Sequence, residues 1–361
     1  MNQKGLPLKI DFHLAIPVLI LLFVSLTTLF SVNVDFFKSQ LLYAILSAII
    51  FIALSQINYK QLEIYSLPIY IVSIILLGFV LGLGIESHGA VRWLDILGFR
   101  FQFSELLKPL LAISLAAFLS GRKSTSTSTM LLVFGLLLPI AFLIYKQPDL
   151  GNALIYLLST IMTLVIFGFP LFWFVIVGAL LLLSIPLSWN FLHQYQKERL
   201  LTFFHLTNDP LGISYNAIQS VIAVGSGMFW GKGLGQGTQS GLRFLPERHT
   251  DFIFATLSEE LGFIGACIVI LAFGYLLYRL FVLYKENDDM FAKTFIAATF
   301  SLLSIQFLVN IGMNIGIIPI VGVTLPFVSY GGSSLISSAI FLGIVASMGK
   351  SFRRKNVLEI T

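Results

Sequence analysis

Residues 13–32 read HLAIPVLILLFVSLTTLFSV, a run without a single Asp, Glu, Lys or Arg. About 18 or more apolar residues in succession is the length a helix needs to cross the hydrocarbon of a bilayer, so the stretch predicts a membrane span. Lys4 and Lys9 precede it, as basic residues precede the apolar region of a signal peptide. That region is usually about 7 to 15 residues long and ends at a small-residue cleavage site. The run here is longer, and NVDFFKSQ (33–40) supplies no such site, which predicts a retained first span.

The pattern recurs. Ten spans are expected, at roughly 13–32, 38–56, 66–84, 103–120, 130–146, 152–168, 169–190, 254–278, 291–313 and 328–349. The sixth and seventh nearly touch at GFPLF (168–172), and polar or Gly/Pro stretches such as ESHGAVRWLDILGFRFQ (86–102), KQPDLGN (146–152) and IPIVGVTLP (318–326) mark other breaks. A hydrophobic content of 57% and a mean hydropathy of +0.93 exclude an ordinary soluble protein. The expected fold is therefore an all-α polytopic membrane protein of about ten transmembrane helices, a single integral membrane domain over 1–361. Cys267 is the only cysteine, so no disulfide framework exists within one chain, and it reads as a small packing residue.

Lys and Arg in the short loops set the orientation. With a cytoplasmic N-terminus, that side holds twelve of them, against four on the other: Lys38, Arg92, Arg100 and Lys146. Both termini are thus expected in the cytoplasm, and the long loop at about 191–253, between spans 7 and 8, outside it. The net charge of +5 and the tail GKSFRRK (349–355) suit anionic headgroups of membrane lipids, and nothing resembles a nucleic-acid module.

The external loop is too long for a simple connector. Its segment AIQSVIAVGSGMFW (217–230) suits an amphipathic helix on the membrane surface. Gly225, Gly227, Gly231, Gly233, Gly235 and Gly237 suggest a phosphate loop, but the Walker spacing fails because Ser226 stands where the first glycine belongs and Gly233 follows Lys232. A glycine-rich backbone holding some anion beside Lys232 and a loop that merely turns often remain equal readings.

Just after it, LPERHTDFIFA (245–255) packs Glu247, Arg248, His249 and Asp251 together. An Asp ahead of an apolar helix is most often its N-cap, and composition alone favours that role for Asp251. The functional reading is a proton acceptor among cations. The histidines are too widely spaced for a local zinc motif, and Ser258 lacks the surroundings of a nucleophile. Glu259 falls on roughly the same helix face as Asp251 and is expected to line a cavity below it. Glu105 and Lys108, at i, i+3, read first as a structural ion pair and second as a polar cavity wall. Asn310 and Asn314 read as interhelix hydrogen-bonding groups, and Asp149 and SYGGSS (329–334) as structural.

Taken together, GAVRWLDILGFRFQFSELLKP, KQPDLGNAL, GKGLGQGTQ, FLPERHTDFIFATLSEELGFIG and LPFVSYGGSS resemble the SEDS family of bacterial cell-wall polymerases, the group of RodA, FtsW and SpoVE. The resemblance covers essentially the whole chain and leans toward the RodA branch. Phe103 stands where members often carry proline. The resemblance implies a peptidoglycan glycosyltransferase that polymerises lipid II outside the cytoplasmic membrane, in elongation and shape, together with a class B penicillin-binding protein. It also places Asp251 at the family's catalytic aspartate. The chemistry fits, because a sugar hydroxyl that displaces a pyrophosphate needs one base and cations for the leaving group, not a second carboxyl group as general acid. Arg199, Lys232, Arg243 and Arg248 are the candidate cations, with Glu247 and His249 as further substrate-binding candidates and room for a divalent ion, Mg or Mn. The rivals are a lipid II flippase, which would carry inverted repeats and helices broken at mid-membrane, and a non-catalytic scaffold for the penicillin-binding protein.

Overall fold

A computed structural model describes residues 11–87, 90–96, 99–122, 125–189, 197, 201, 203, 213–242 and 244–358. The apolar runs become α1 (Phe12–Val32), α2 (Val34–Gln56), the short α3 (Tyr59–Ile64) and α4 (Ser66–Leu83). They continue as α5 (Phe103–Leu106), α6 (Lys108–Ser120), α7 (Thr127–Lys146), α8 (Leu150–Phe167) and α9 (Leu171–Ser188). Beyond the external loop follow α10 (Ile213–Ser226), α11 (Thr238–Gly241), α12 (Ile253–Glu286), α13 (Met290–Asn314) and α14 (Gly332–Leu358). Among the described residues eight helices are long and apolar enough to cross a membrane, and two shorter apolar stretches, Ser66–Gly82 and Leu171–Leu180, fall where two further spans were expected. The break between α8 and α9 falls at Gly168, whose φ of 111° ends the helix in a left-handed cap.

The break after α4, which the sequence reading marked only as a polar stretch between spans, forms a small three-stranded antiparallel sheet, β1 (Ile85–Ser87), β2 (Ala90–Ile96) and β3 (Phe99–Gln102), in the order β1-β2-β3. The reason is readable afterwards: FRFQ alternates apolar and polar residues, AVRWLDI carries the strand-favouring Val91, Trp93 and Ile96, and LG at 97–98 separates the two in sequence at hairpin length.

Burial separates inner from outer spans. Within α14 the membrane-length window is 89% buried, against 17% in α2, so α14 is a central helix and α2 a peripheral one. α13 packs against α6, α8, α12 and α14, and α14 lies along α2. Close approach depends on small residues. A Cβ on Gly343 would come within 2.9 Å of the Leu54 Cβ, and one on Gly332 within 2.5 Å of the Tyr43 ring, so both glycines bring α14 against α2. On the outside, Phe23, Leu138, Leu183 and Leu271 stand exposed, which is the surface that hydrocarbon covers.

Candidate active site

The glycine-rich segment of the external loop is stitched into a break in α12. Gly262, at φ 68° and ψ −164°, interrupts the helix and strands backbone groups on either side of it. The loop supplies their partners. Lys232 N–H donates to Glu259 O and Gly233 N–H to Glu260 O, both at 3.0 Å. In return Phe263 N–H donates to Met228 O at 2.9 Å and Ile264 N–H to Phe229 O at 3.4 Å. Such contact needs bare Cα atoms: a Cβ on Gly227 would lie 1.9 Å from Ser258 O, and one on Gly231 2.2 Å from Glu260 O.

The loop does hold an anion, and that anion belongs to the chain. Glu259 is fully buried and takes five donors. Its Oε1 accepts from Lys232 Nζ at 2.9 Å, Thr238 Oγ1 at 3.2 Å and Gln239 N–H at 2.9 Å. Its Oε2 accepts from Ser240 N–H at 2.9 Å and Ser240 Oγ at 2.8 Å. Glu260 is held from two sides, by Ser31 Oγ of α1 at 2.6 Å and Gly235 N–H at 3.1 Å. The chain also ties Arg248 to this frame, since its guanidinium donates to Ser240 O.

The turn before α12 carries the remaining candidates. Leu245 and Phe252 anchor its ends in a small apolar cluster with Ala223 and Ala255. Glu247 adopts φ 49°, its carbonyl accepts from Thr250 and Phe252 N–H, and its Oε2 accepts from Thr250 Oγ1 at 3.0 Å, so this side chain shapes the turn. His249 stacks on Phe36 of α2, ring centroids 4.2 Å apart and planes within 5°. Burial lowers its pKa below the ordinary value; Glu247 opposes that shift and Arg248 adds to it. Asp251 is half-buried.

Asp251 does not occupy the cap position that composition favoured. The helix starts at Ile253, Phe252 stands at the cap and contributes no side-chain bond. The amide N–H of Ala255, the third of α12, instead donates to Asn314 Oδ1 of α13 at 3.1 Å. Asn310 and Asn314, expected as generic interhelix groups, both donate through Nδ2 to the Asp251 carbonyl, at 3.1 and 3.0 Å. Ser329 and Tyr330, read from sequence as packing residues, bond the turn as well: Ser329 Oγ donates to Thr250 O at 2.7 Å and Tyr330 N–H to His249 O at 2.9 Å.

Glu105 and Lys108 form the expected ion pair, 2.6 Å apart and buried. They form a second group with Asp149, whose carboxylate accepts from Gln102 Nε2 at 2.7 Å and Asn152 Nδ2 at 2.9 Å. The segment 325–334 lies between the groups, with Ser329 on the Asp251 turn and Ser333 Oγ accepting Gln102 N–H at 2.9 Å. A cavity of about 230 Å³ opens between α4, α6, α7, α8 and α13, lined by Lys108, Tyr156, Ser159 and Thr160 among apolar residues. Glu105 and Glu259 are not in its wall, because each is turned into its own hydrogen bonds. Arg199 and Arg243 lie outside the described residues. Among the described residues no group of three or more His, Cys, Asp or Glu side chains is placed to hold a metal ion.

Comparison with known proteins gives one consistent result. Residues 6–354 match the model of the FtsW, RodA and SpoVE family, described as cell cycle proteins. The chain is 40% identical over 309 residues to peptidoglycan glycosyltransferase MrdB of Escherichia coli K12, covering 83% of this chain and 82% of that protein. A chain solved in the structural coordination of polymerization and crosslinking by a peptidoglycan synthase complex superposes with a TM-score of 0.83 at 30% identity, covering 95% of this chain and 98% of that one. The rod shape determining protein RodA of Thermus thermophilus superposes with a TM-score of 0.73 at 27% identity, covering 96% and 98%.

Proposed function

Because this chain belongs to the SEDS family of FtsW, RodA and SpoVE proteins, we infer that it is an integral membrane peptidoglycan glycosyltransferase serving cell elongation, with lipid II as its substrate. The observation that carries the reading is the placement of Asp251. Its carboxylate belongs to a turn at the end of a membrane span, and Arg248 and Lys232 are tied to the same frame through Ser240 and Glu259. The excess of Lys and Arg on the opposite side supports an extracytoplasmic position for this turn, with both termini cytoplasmic in the bacterial inner membrane.

In this scheme Asp251 takes the proton of the acceptor sugar hydroxyl as the oxygen attacks the donor's anomeric carbon. The bond to the undecaprenyl pyrophosphate breaks from the opposite face, inverting the α linkage to β-1,4, and the leaving group departs as an anion. Arg248 and Lys232 offset that charge, joined by Arg199 and Arg243 from the loop. Lys232 is already bonded to Glu259, so it serves the pyrophosphate as one end of a bridge rather than as a mobile arm. Glu247 and His249 shape the turn. A divalent ion carried in on the pyrophosphate, Mg or Mn, is compatible with this arrangement. The polymer made here calls for a transpeptidase, and a class B penicillin-binding protein is the proposed partner.

Transport is the weaker reading. Among the described residues, the break at Gly262, where the backbone leaves helical geometry, is nine residues from the start of α12 and is closed by the loop's own backbone instead of opening onto a substrate path. The test is polymerisation of lipid II by purified protein with its partner. Asp251→Asn is expected to lower the rate by about 10²–10⁴-fold, the usual worth of a general base. A wild-type rate would remove Asp251 from that role.

A further inference from the structure

Glu259 holds Lys232 at both ends. Its carbonyl accepts the Lys232 N–H at 3.0 Å, and its Oε1 accepts the Lys232 ammonium at 2.9 Å. The ammonium makes a second bond, to Thr238 Oγ1 at 2.8 Å. It has three N–H donors, so among the described residues two are committed and one is left over. The carboxylate itself is seated without the lysine. Thr238 Oγ1, Gln239 N–H, Ser240 N–H and Ser240 Oγ supply four uncharged donors, as many as a carboxylate has lone-pair sites. The protein's other buried pair is the contrast. Glu105 and Lys108 are enclosed together, their side chains 7% and 1% exposed. In the Glu259 pair only the acid is enclosed, at 0%, while the Lys232 side chain stays 28% exposed. A cation needed only to neutralise a buried carboxylate has no reason to stand open.

We propose that Glu259 is a positioning residue for Lys232: a carboxylate fixed by the loop fixes the ammonium in turn, with Thr238 as the second clamp, and leaves its remaining N–H for a diphosphate. The gain is preorganisation. A free lysine would lose its rotamer freedom when the anion binds, whereas this one has lost it on folding. Held still, it meets the charge that develops on a departing diphosphate without having to move, which is assistance given in the transition state. Glu259 is enclosed and touches no substrate, so its effect passes through Lys232. The inference rests on the polymerase reading, and its test separates the two.

The first measurement needs no lipid II. Thermal unfolding of the full-length protein in detergent is followed with and without inorganic pyrophosphate, which carries the terminal charge a leaving diphosphate gains and raises the midpoint if it binds the folded protein. Wild type is expected to show the rise and Lys232→Met to lose it. Glu259→Gln keeps the lysine but sets an NH2 group among the donors, and is expected to lose the rise as well. No rise in wild type, or an undiminished one in Glu259→Gln, overturns the proposal. The second measurement is turnover of lipid II with the partner present. Lys232→Met and Glu259→Gln are each expected to lower kcat by about 10-fold or more while KM changes by about 2-fold or less, as for a contact made in the transition state. The double variant is expected to be no slower than Lys232→Met alone, because one residue acts through the other. Losses that multiply, or a KM that rises in step, overturn the proposal and leave the polymerase reading standing. A wild type that binds pyrophosphate through Lys232 and Glu259 but makes no polymer removes that reading and leaves the clamp. If Glu259→Gln does not fold, Thr238→Val takes its place in both measurements, since it removes the second clamp and leaves Glu259 its bonds to Lys232, Gln239 and Ser240. Its kcat is expected to fall about 3-fold or more. A wild-type kcat and midpoint rise in that variant overturn the proposal.

Discussion

His249 shows how one side chain in the turn can be read by its proton. Its ring lies flat on Phe36 and tilted against Tyr330, 5.6 Å between centroids, and burial holds its pKa below 6.5. A group whose folded pKa lies below its unfolded one contributes stability that is present above the unfolded value and is lost as the pH falls toward the folded one. The thermal midpoint is therefore expected to drop on acidification below about pH 6.5. His249→Phe keeps a ring for Phe36 but binds no proton, so its midpoint should fall less steeply over that interval. Equal slopes in the two proteins would remove His249 from the acid response. What the sequence concealed at this turn is the cap. The charges of LPERHTDFIFA are visible in one line, and local rules assign Asp251 to the helix start. The side chain that fills the cap lies on the next helix, 59 residues from Ala255, and only packing brings it there. The same holds for Ser329, whose hydroxyl reaches Thr250 O from 79 residues away.

The break in α12 and the glycine loop make one structural unit. Sequence showed the glycines and weighed an anion cradle against a flexible turn, and each reading captured part of the result. The anion is Glu259, on a helix that local reading treated as continuous, and two of the glycines exist for backbone contact. Gly231 and Gly235 separate conformation from contact. Both need positive φ, 81° and 71°, yet a Cβ on Gly231 would meet the Glu260 carbonyl at 2.2 Å, whereas one on Gly235 has nothing within 4 Å. Gly235→Ala is thus expected to cost only about 1–2 kcal/mol, the left-handed penalty of an L-residue. Gly231→Ala must open the splice as well, and is expected to cost roughly 3 kcal/mol or more, with unpaired backbone groups left at the membrane edge. Thermal unfolding decides between them: equal losses would mean that the loop does not hold the helix break closed.

Across the whole molecule, the spans were the most legible feature, because a bilayer imposes the same length on every helix that crosses it. The ends of α1 and α13 fall within one or two residues of the apolar runs that predict them. The sheet at 85–102 escaped that reading, since three- to seven-residue strands leave no mark on a hydropathy profile. Burial order escaped it too. α13 and α14 are still apolar enough to count as spans, although less so than the outer α1 and α2, and their central position shows in the Ala, Ser, Thr and Gly residues that let neighbours approach. Sidedness rests on charge counting alone, and it governs the chemistry, because a substrate presented outside the cell cannot meet a carboxylate inside it. Cys267 makes a direct test simple, being the only cysteine in the chain. In a Cys267→Ala background, Trp230→Cys replaces a side chain 78% exposed in the glycine loop, and Asp288→Cys an exposed one in the turn between α12 and α13. A membrane-impermeant maleimide added to intact spheroplasts is expected to label position 230 and to reach position 288 only after permeabilisation. The reverse pattern would put Asp251 on the cytoplasmic side, and with it the proposed polymerisation outside the membrane would fall.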